Sequence, residues 1–567
     1  MHSINKLLKI LPNQIKSKLY IFVFLLLVAT FFELLSISVL VPIAEIIISG
    51  ETSFNFINNF LSHIENNFVK NQILLSALLF IIILFVLKTL YLISFSYWTN
   101  KFSQNIYKIL SENLLKKYLS SNYLFFVNQK SSDLIRNIVF ESKNLSQMTF
   151  CYLKIAVELF IFFMIAILIL IIDFKTSLSL ICFFLIFTSI YYFFTKKIIF
   201  NFGIIRQKSF AKILKNLQEI FGTIKDIKLK KSENFFKDIF SNNIGSFVKS
   251  AYKSNTLQEA PRFLIELFFL IILTIIIIFN VSDSNEVQSI VPLLVVYLAA
   301  GLRLLPGFVK LNSYLQQVES FKPSLNLISN ELNEQNIYSL KHKNYNSETN
   351  IYPGDITCQN INYSYGKKKI FENLNLKINK NSIFGICGES GSGKSTLINI
   401  LLGLLIPDKG KVLVNNLDIR KNVFKWQECL GYVSQNIFLL DASLKENIAF
   451  GVNIENIDYD NLNLAIKNAN LNNLVETLSN GIDTNIGERG SKISGGQIQR
   501  IAIAREIYRN PSVLILDEAT TGLDYENEKK IFDSIKQLKN KMTVIIVSHN
   551  KDTLKICENL LDLDKKV

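Results

Sequence analysis

The sequence predicts an all-helical membrane domain with six spans, followed by an α/β domain built on a largely parallel sheet. Hydrophobic residues make up 49% of the 567 residues, and 45 of them are Phe, which is too apolar for an ordinary soluble protein. After residue 350, strand-like apolar runs alternate with helical runs, a pattern typical of α/β domains. Before residue 312 lie six apolar stretches, each able to supply the roughly 20 residues that a spanning helix needs: Leu19–Ile48, Ile73–Trp98, Ile155–Ile172, Leu178–Phe194, Phe263–Val281 and Ile290–Val309.

Basic residues concentrate in the long connectors between the apolar stretches. The net charge is +15, and residues 100–149 and 195–260 hold many of the lysines, whereas Asn280–Ser289 contains no Lys or Arg. Because cytoplasmic loops of membrane proteins carry an excess of Lys and Arg, this asymmetry places the N-terminus and both long connectors in the cytoplasm. It also accounts for most of the basic charge, so no nucleic-acid partner is expected.

Both long connectors are expected to be helical continuations of the spans, because apolar residues recur in them at steps of three and four. A break interrupts each connector, at Ser120–Asp133 and at Glu219–Asp226. Each break indicates either a short transverse helix that contacts another domain or a solvated bend. On the outer side, the apolar stripe of Phe54–Phe68 indicates a helix in the membrane interface or one packed on neighbouring spans.

A polar segment without periodicity separates the two predicted domains. It covers residues 331–350 and is typical of a linker. The membrane domain is therefore predicted to cover residues 1–330 and the α/β domain residues 351–567. The six cysteines include no CxxC pair, which favours neither a disulfide framework nor a zinc site.

A glycine-rich loop after the apolar strand Ser382–Cys387 predicts an ATP site. Its sequence is a complete match to GxxxxGK[ST] and opens a helical run. Backbone N–H groups of such a loop surround a phosphate, Lys394 reaches the β- and γ-phosphates, and the Ser395 hydroxyl binds Mg²⁺. The loop assigned to ATP consists of Gly388, Glu389, Ser390, Gly391, Ser392, Gly393, Lys394, Ser395 and Thr396.

Two adjacent carboxylates end the apolar strand of Ser512–Thr520. Together with a phosphate loop, they predict catalytic roles. Asp517 is expected to hold Mg²⁺, and Glu518 is expected to be the base that orients and polarises the attacking water.

A second pair of glycines, in Ile493–Arg500, opens another helical run. A hydroxyl and two glycines at a helix N-terminus can bind an anion. One nucleotide does not need two such sites a hundred residues apart, so we expect the second to serve ATP bound by another copy. The residues assigned to it are Ser494, Gly495, Gly496 and Gln497.

These elements resemble, in order, those of ATP-binding cassette (ABC) proteins, with Ile493 where the signature sequence usually begins with Leu. The resemblance implies that Tyr365 stacks on adenine and that Gln435 contacts Mg²⁺ and senses the γ-phosphate. Asp524 belongs to the motif "TGLD", which resembles the D-loop, and His549 resembles the switch histidine that contacts the γ-phosphate.

Six spans followed by one cassette resemble a half-size ABC exporter. The resemblance implies a homodimer in which two cassettes enclose two ATP molecules, each held by the phosphate loop of one copy and the signature of the other. It also implies that the breaks near Tyr123–Lys130 and Ile220–Asp226 are coupling helices. The expected location is the inner membrane of a bacterium, with the cassette in the cytoplasm.

The membrane half resembles the PglK-like flippases of lipid-linked oligosaccharides in three stretches: Phe31–Ile43, Glu259–Glu266 and Leu302–Lys310. The resemblance implies an anionic, amphipathic substrate such as a polyprenyl-diphosphate-linked oligosaccharide. It also implies a basic cavity at positions that are arginines in that group and that are here Lys88, Arg262, Arg303 and Lys310.

Two other functions remain open. The chain could export another lipid, a drug or a peptide, or it could be a membrane-anchored ATPase that transports nothing.

The role of Arg303 also has an alternative. Arg303 and Lys310 lie seven residues apart, about two turns along one helical face. Instead of lining a cavity, Arg303 could pair with Glu266 or Glu33 and only hold the helices together.

Overall fold

A computed structural model shows the protein as two compact units, the first all-helical and the second built on β-sheets. The first unit comprises Met1–Ser121 and Phe125–Ser339, and the second comprises Asn122–Leu124 and Leu340–Val567. The structure describes residues 2–38, 67–172, 174–283, 287–333, 353–518, 533, 536 and 541–564.

The helical unit consists of long helices joined by short ones. Six helices of its described part have 26 to 53 residues, and each overlaps one of the apolar stretches. The elements are α1 (His2–Ile10), α2 (Asn13–Ser38), α3 (Asn67–Leu119), α4 (Tyr123–Asn128), α5 (Ser131–Arg136), a π-helix (Asn137–Glu141), α6 (Ser142–Ile172), α7 (Phe174–Gly222), α8 (Ile224–Leu229), α9 (Glu233–Asp283) and α10 (Val287–Asn333).

Length and composition identify three stretches of the described residues that can cross a membrane: Ile15–Phe32, Ile82–Leu119 and Ser131–Ile167. Helix α3 continues without interruption from the predicted second span to Leu119, as expected for a span that extends into the cytoplasm. Along its last turns the residues at four-residue steps, Phe102, Ile106, Leu110 and Leu114, are buried. The expectation of an amphipathic helix therefore holds for this segment.

Short helices occur at both predicted breaks: α4 lies within Ser120–Asp133, and α8 begins inside Glu219–Asp226. Because Phe221 and Leu229 around α8 are exposed, its contact with another domain stays a prediction. Asn122–Leu124 clusters with the second unit, where Leu124 packs against an apolar cluster that includes Trp426. Residues 54–66 of the predicted external helix lie outside the described residues. The predicted linker begins three residues too early, because α10 continues to Asn333.

The second unit contains two sheets in its described part. The strands are β1 (Ile356–Tyr365), β2 (Lys368–Ile378), β3 (Ile383–Cys387), β4 (Lys409–Val414), β5 (Leu417–Asp418), β6 (Leu430–Val433), β7 (Val513–Asp517), β8 (Thr543–Val547) and β9 (Asn559–Asp562). The helices are α11 (Lys394–Leu401), α12 (Val423–Glu428), α13 (Leu444–Ile448), α14 (Tyr459–Asn468), α15 (Asn472–Thr477), α16 (Gly495–Tyr508) and α17 (Lys551–Leu554), with short 3₁₀ turns at Ile419–Lys421, Ile454–Asn456, Gly481–Asp483 and Glu488–Gly490.

The five-stranded sheet, in the order β6-β7-β8-β3-β9, is parallel throughout. Its central strands β7 and β8 are buried at every residue. Since parallel strands end at the same edge, the residues after β3, β7 and β8 lie close together. The four-stranded sheet, β2-β1-β4-β5, is antiparallel and was not anticipated. The fold class, a helical membrane domain followed by an α/β cassette, is confirmed.

Candidate functional site: an ATP site at the edge of the parallel sheet

The phosphate loop follows β3 and leads into α11. Gly391 and Gly393 have φ angles of +90° and +104°, a region that side chains with a Cβ avoid. The Lys394 ammonium lies across the loop and donates to the carbonyl oxygens of Gly388 at 2.6 Å and Glu389 at 2.9 Å. The sequence GxxxxGK[ST] therefore forms a closed loop with its lysine turned inward.

The loop fits a phosphate group. The buried Ser392 Oγ has no hydrogen-bond partner within the described part of the chain. A Cβ added at Gly391 would meet no atom within 4 Å, so space is open beside the backbone. Ser395 is exposed on the first turn of α11, where N–H groups at a helix N-terminus favour an anion. An unsatisfied hydroxyl, open space and a positive helix end together match the requirements of ATP phosphates.

The two predicted catalytic carboxylates differ in their surroundings. Asp517 is the last residue of β7 and is buried, with 9% of its surface exposed. Burial raises the pKa of Asp517, and a hydrogen bond from the Tyr432 hydroxyl, at 3.1 Å, opposes this rise. Glu518 has a φ of +50°, which is strained for a residue with a side chain and is characteristic of functional sites. Its N–H is held by the Val547 carbonyl at 3.0 Å.

Glu518 lies between two other predicted site residues. Gln435 Nε2 donates to Glu518 Oε2 at 2.5 Å, and His549 Nδ1 lies 3.6 Å from Glu518 Oε1. These residues come from the loops after β6, β7 and β8, so the parallel sheet assembles them. The structure therefore brings together all three residues predicted to be catalytic.

The oxygen donors near this edge fit Mg²⁺. A hydroxyl from Ser395, an amide oxygen from Gln435 and a carboxylate from Asp517 are hard oxygen ligands of the kind that Mg²⁺ prefers, and Mg²⁺ retains several waters in such sites. When bound, Mg²⁺ neutralises charge on the β- and γ-phosphate oxygens. The protein holds Asp517 by burial and by the Tyr432 bond, and Gln435 by its bond to Glu518.

The signature region caps α16. The Ser494 Oγ accepts from the Gln497 N–H at 3.3 Å, and the Ser494 N–H donates to Gln497 Oε1 at 2.8 Å. This reciprocal capping box fixes the start of the helix. Ser494 and Gly495 are exposed, and a Cβ at Gly495 would meet nothing within 4 Å. Gly496 lies next in the first turn, so the N-terminus of this helix faces open space. That another copy completes the site stays a prediction.

Of two further predicted ATP residues, the structure describes Tyr365 but not Asp524. Tyr365 ends β1, is 41% exposed, and packs edge to face on Tyr363 with ring centroids 5.0 Å apart. An exposed, braced ring of this kind can stack on a base. Asp524 lies outside the described residues.

The four basic residues predicted to line a cavity have different environments. Arg262 Nε donates to Glu266 Oε1 at 3.1 Å, one turn along α9. Lys310 Nζ lies 4.0 Å from Glu158 Oε1 on α6. Lys88 Nζ lies 5.3 Å from the centre of the Phe85 ring. The backbone of Arg303 lies in α10, but its side chain is outside the described part.

Four residues of these sites were not predicted from the sequence. Tyr432 precedes Gln435 by three positions, and Glu506 accepts from the Tyr432 N–H at 3.2 Å. Asp564 accepts from the Glu389 N–H of the phosphate loop at 2.8 and 2.9 Å. Glu158, the partner of Lys310, is a charge inside an apolar helix and could have been noticed on that ground. The other three carry no local signal.

Comparison with known proteins identifies both halves of the chain. Residues 19–299 match the model of the ABC transporter transmembrane region, and residues 371–521 match the ABC transporter model. An export ATP-binding/permease protein of Rickettsia typhi is 38% identical over 231 residues, which is 40% of each chain. An ATP-dependent lipid A-core flippase of Francisella novicida is 29% identical over 371 residues, 63% of this chain and 60% of that protein. The chain thus spans less than two thirds of these relatives.

A solved structure of a bacterial Atm1-family ABC exporter with ATP bound has the same fold. The TM-score is 0.78 at 20% identity, and the alignment covers 98% of this chain and 94% of that chain. The cassette is an ATPase domain that uses ATP with Mg²⁺, as its motifs predicted. Since the two family models together match more than half of the sequence, in the order membrane region then cassette, the chain belongs to the ABC transporters.

Proposed function

We propose that two copies of this chain form an ATP-driven flippase that moves an anionic, amphipathic lipid across the bacterial inner membrane. The substrate is a polyprenyl-diphosphate-linked oligosaccharide or a similar lipid-linked glycan. The observation that carries the transport function is the assembly of Gln435, Glu518 and His549 in a cassette that shares its chain with apolar, membrane-length helices. A membrane anchor for a non-transport ATPase would need only one or two spans, so we reject that alternative.

Charges on the spanning helices support an anionic substrate. Arg262 and Lys310 expose 63% and 54% of their side chains despite their acidic neighbours. A charge facing hydrocarbon costs about 2.5–3.5 kcal/mol on insertion scales, whereas a charge lining a water-filled cavity does not. Arg303 lies two turns before Lys310 on the same helix. Basic groups on one helical face suit a diphosphate, which accepts several charge-assisted hydrogen bonds.

Two exposed features support a homodimer. The signature helix presents Ser494 and Gly495 to open space. The second cytoplasmic bend exposes large apolar side chains around α8, with 69% of Phe221 and 82% of Leu229 accessible. Large apolar side chains that are exposed outside the predicted spans indicate an interface with another protein surface. The cassette of a second copy would cover this bend and would complete the ATP site at the signature.

The alternative substrates differ from a diphosphate lipid in charge and shape. The Francisella relative is a lipid A-core flippase and another relative, in Mannheimia glucosida, is a leukotoxin translocation protein. A lipid with a phosphorylated head group needs the basic helical face, whereas a peptide or a neutral drug does not. We therefore favour the lipid class and place the cassette in the cytoplasm, where the basic connectors also lie.

Replacing Arg303 by Ala tests the substrate assignment. The variant should assemble and hydrolyse ATP at the basal rate, but it should move a diphosphate-linked lipid in reconstituted vesicles about 10- to 100-fold more slowly, because a charge-assisted hydrogen bond is lost. Lys196→Ala serves as the matched control, since Lys196 lies over the Phe193 ring at 4.5 Å and outside the basic face. Unimpaired flipping by Arg303→Ala, or rescue of an unstable variant by Glu266→Gln, would favour a purely structural role.

A further inference from the structure

Tyr432 joins three parts of the ATP site. It lies on β6, the edge strand of the parallel sheet, and β6 pairs with β7 in a register that sets Tyr432 beside Ile515. Its hydroxyl donates to Asp517 Oδ2 at 3.1 Å. Three residues further along the chain, Gln435 bonds to Glu518. Strand β6 and the loop that follows it therefore contact both Asp517 and Glu518.

The hydrogen bond to Asp517 restricts that carboxylate. Asp517 is buried and Tyr432 is half-buried, so water competes weakly for this bond. With Oδ2 held by the phenol, the side chain cannot rotate freely, and Oδ1 remains available to the Mg²⁺ shell. Partners that orient a metal-binding group in this way commonly change metal affinity by about 10- to 100-fold.

The backbone of Tyr432 is itself fixed by the signature helix. Glu506, near the end of α16, accepts from the Tyr432 N–H at 3.2 Å. The helix lies close to the strand, because a Cβ added at Gly431 would come within 3.1 Å of Glu506 Cβ. At the outer edge of a sheet this N–H has no strand partner, so Glu506 satisfies a donor that would otherwise be unpaired.

We propose that Tyr432 is a positioning residue for Mg²⁺: its hydroxyl holds Asp517 in the orientation that binds the metal of Mg²⁺–ATP, and Glu506 holds Tyr432. The proposal concerns only the ATP site and does not depend on which substrate is transported.

Tyr432→Phe tests the proposal, because it removes the hydroxyl and keeps the ring. All proteins carry Glu518→Gln as well, so that ATP is not hydrolysed during the measurement. ATP affinity is measured once in EDTA and once with saturating Mg²⁺, and Mn²⁺ binding to the ATP-loaded protein is followed by electron paramagnetic resonance. We expect an unchanged ATP affinity in EDTA, a reduced gain on adding Mg²⁺, and Mn²⁺ binding weakened about 10-fold.

Tyr508→Phe is the matched control. Its hydroxyl accepts from the Asp458 N–H at 3.0 Å, within the same cassette but away from the carboxylates, so the variant should keep the full Mg²⁺ gain. An unchanged Mg²⁺ gain and Mn²⁺ affinity in Tyr432→Phe would overturn the proposal. So would a loss of ATP affinity in EDTA, since that result indicates a structural role. If Tyr432→Phe does not fold, Glu506→Ala should show the same Mg²⁺ defect, and its absence would be equally decisive.

Discussion

Replacing Glu518 by Gln should lower ATP turnover by about three orders of magnitude, within the range of about 10²–10⁴-fold that a general base contributes. The amide keeps the size of the side chain but cannot accept a proton from water. Gln435 and His549 flank the Glu518 side chain. We therefore expect the glutamine of the variant to occupy the same position. Because the phosphate loop is untouched, ATP binding should remain. Steady-state phosphate release and equilibrium ATP binding on purified protein measure the two quantities.

A second carboxylate of the cassette provides the control for this substitution. Glu428 is exposed and pairs with Lys425 at 2.8 Å. It precedes β6, whereas Gln435 follows that strand, so Glu428 lies at the opposite end of the strand from the site. Glu428→Gln should hydrolyse ATP at the wild-type rate. Wild-type turnover by purified Glu518→Gln would remove Glu518 from the mechanism.

Mixing two inactive subunits should restore one ATP site. In the proposed dimer, the phosphate loop of one copy and the signature of the other hold each nucleotide. A heterodimer of a Ser494→Arg subunit and a Lys394→Ala subunit has one site with both parts intact and one with both parts altered. Neither parent homodimer has an intact site. With Glu518→Gln in every subunit to trap ATP, the heterodimer should occlude one ATP and the parents should occlude none.

The stoichiometry of occluded ATP separates this scheme from a site within one subunit. If each copy used its own signature, every subunit of the heterodimer would carry one altered part, and no ATP would be occluded. A homodimer of subunits altered only at Glu518 is the positive control and should hold two ATP molecules. Occlusion by the parents together with its loss in the heterodimer would contradict the cross-subunit arrangement.

The ATP site was predictable because its signals are local. The run from Gly388 to Thr396 specifies a loop in which glycines adopt positive φ angles. Asp517 ends a strand whose other residues are all apolar, and Glu518 follows it. The contact of Tyr432 with Asp517 was not predictable. The contact requires that β6 pairs with β7 in the observed register. The residues around Tyr432 do not specify that pairing.

In the membrane half, the positions of the helices were predictable, but the contacts between their charged side chains were not. Hydropathy and loop charge depend on composition, so the apolar stretches and their helices could be located. Which charges meet depends on the rotation of each helix about its axis. The sequence offered Glu266 and Glu33 as possible partners of Arg303, whose side chain lies outside the described residues. The structure pairs Glu266 with Arg262 and sets Lys310 beside Glu158, and neither contact was predicted.

ATP-dependent movement of a polyprenyl-diphosphate-linked oligosaccharide in vesicles containing only this protein tests the central claim most directly. A fluorescently labelled lipid is placed in both leaflets, and a membrane-impermeant quencher or glycosidase reports the fraction that remains accessible. We expect ATP with Mg²⁺ to change this fraction in wild-type vesicles and to leave it unchanged in Glu518→Gln vesicles. Full ATP hydrolysis without any movement of the lipid, or equal movement in both proteins, would contradict it.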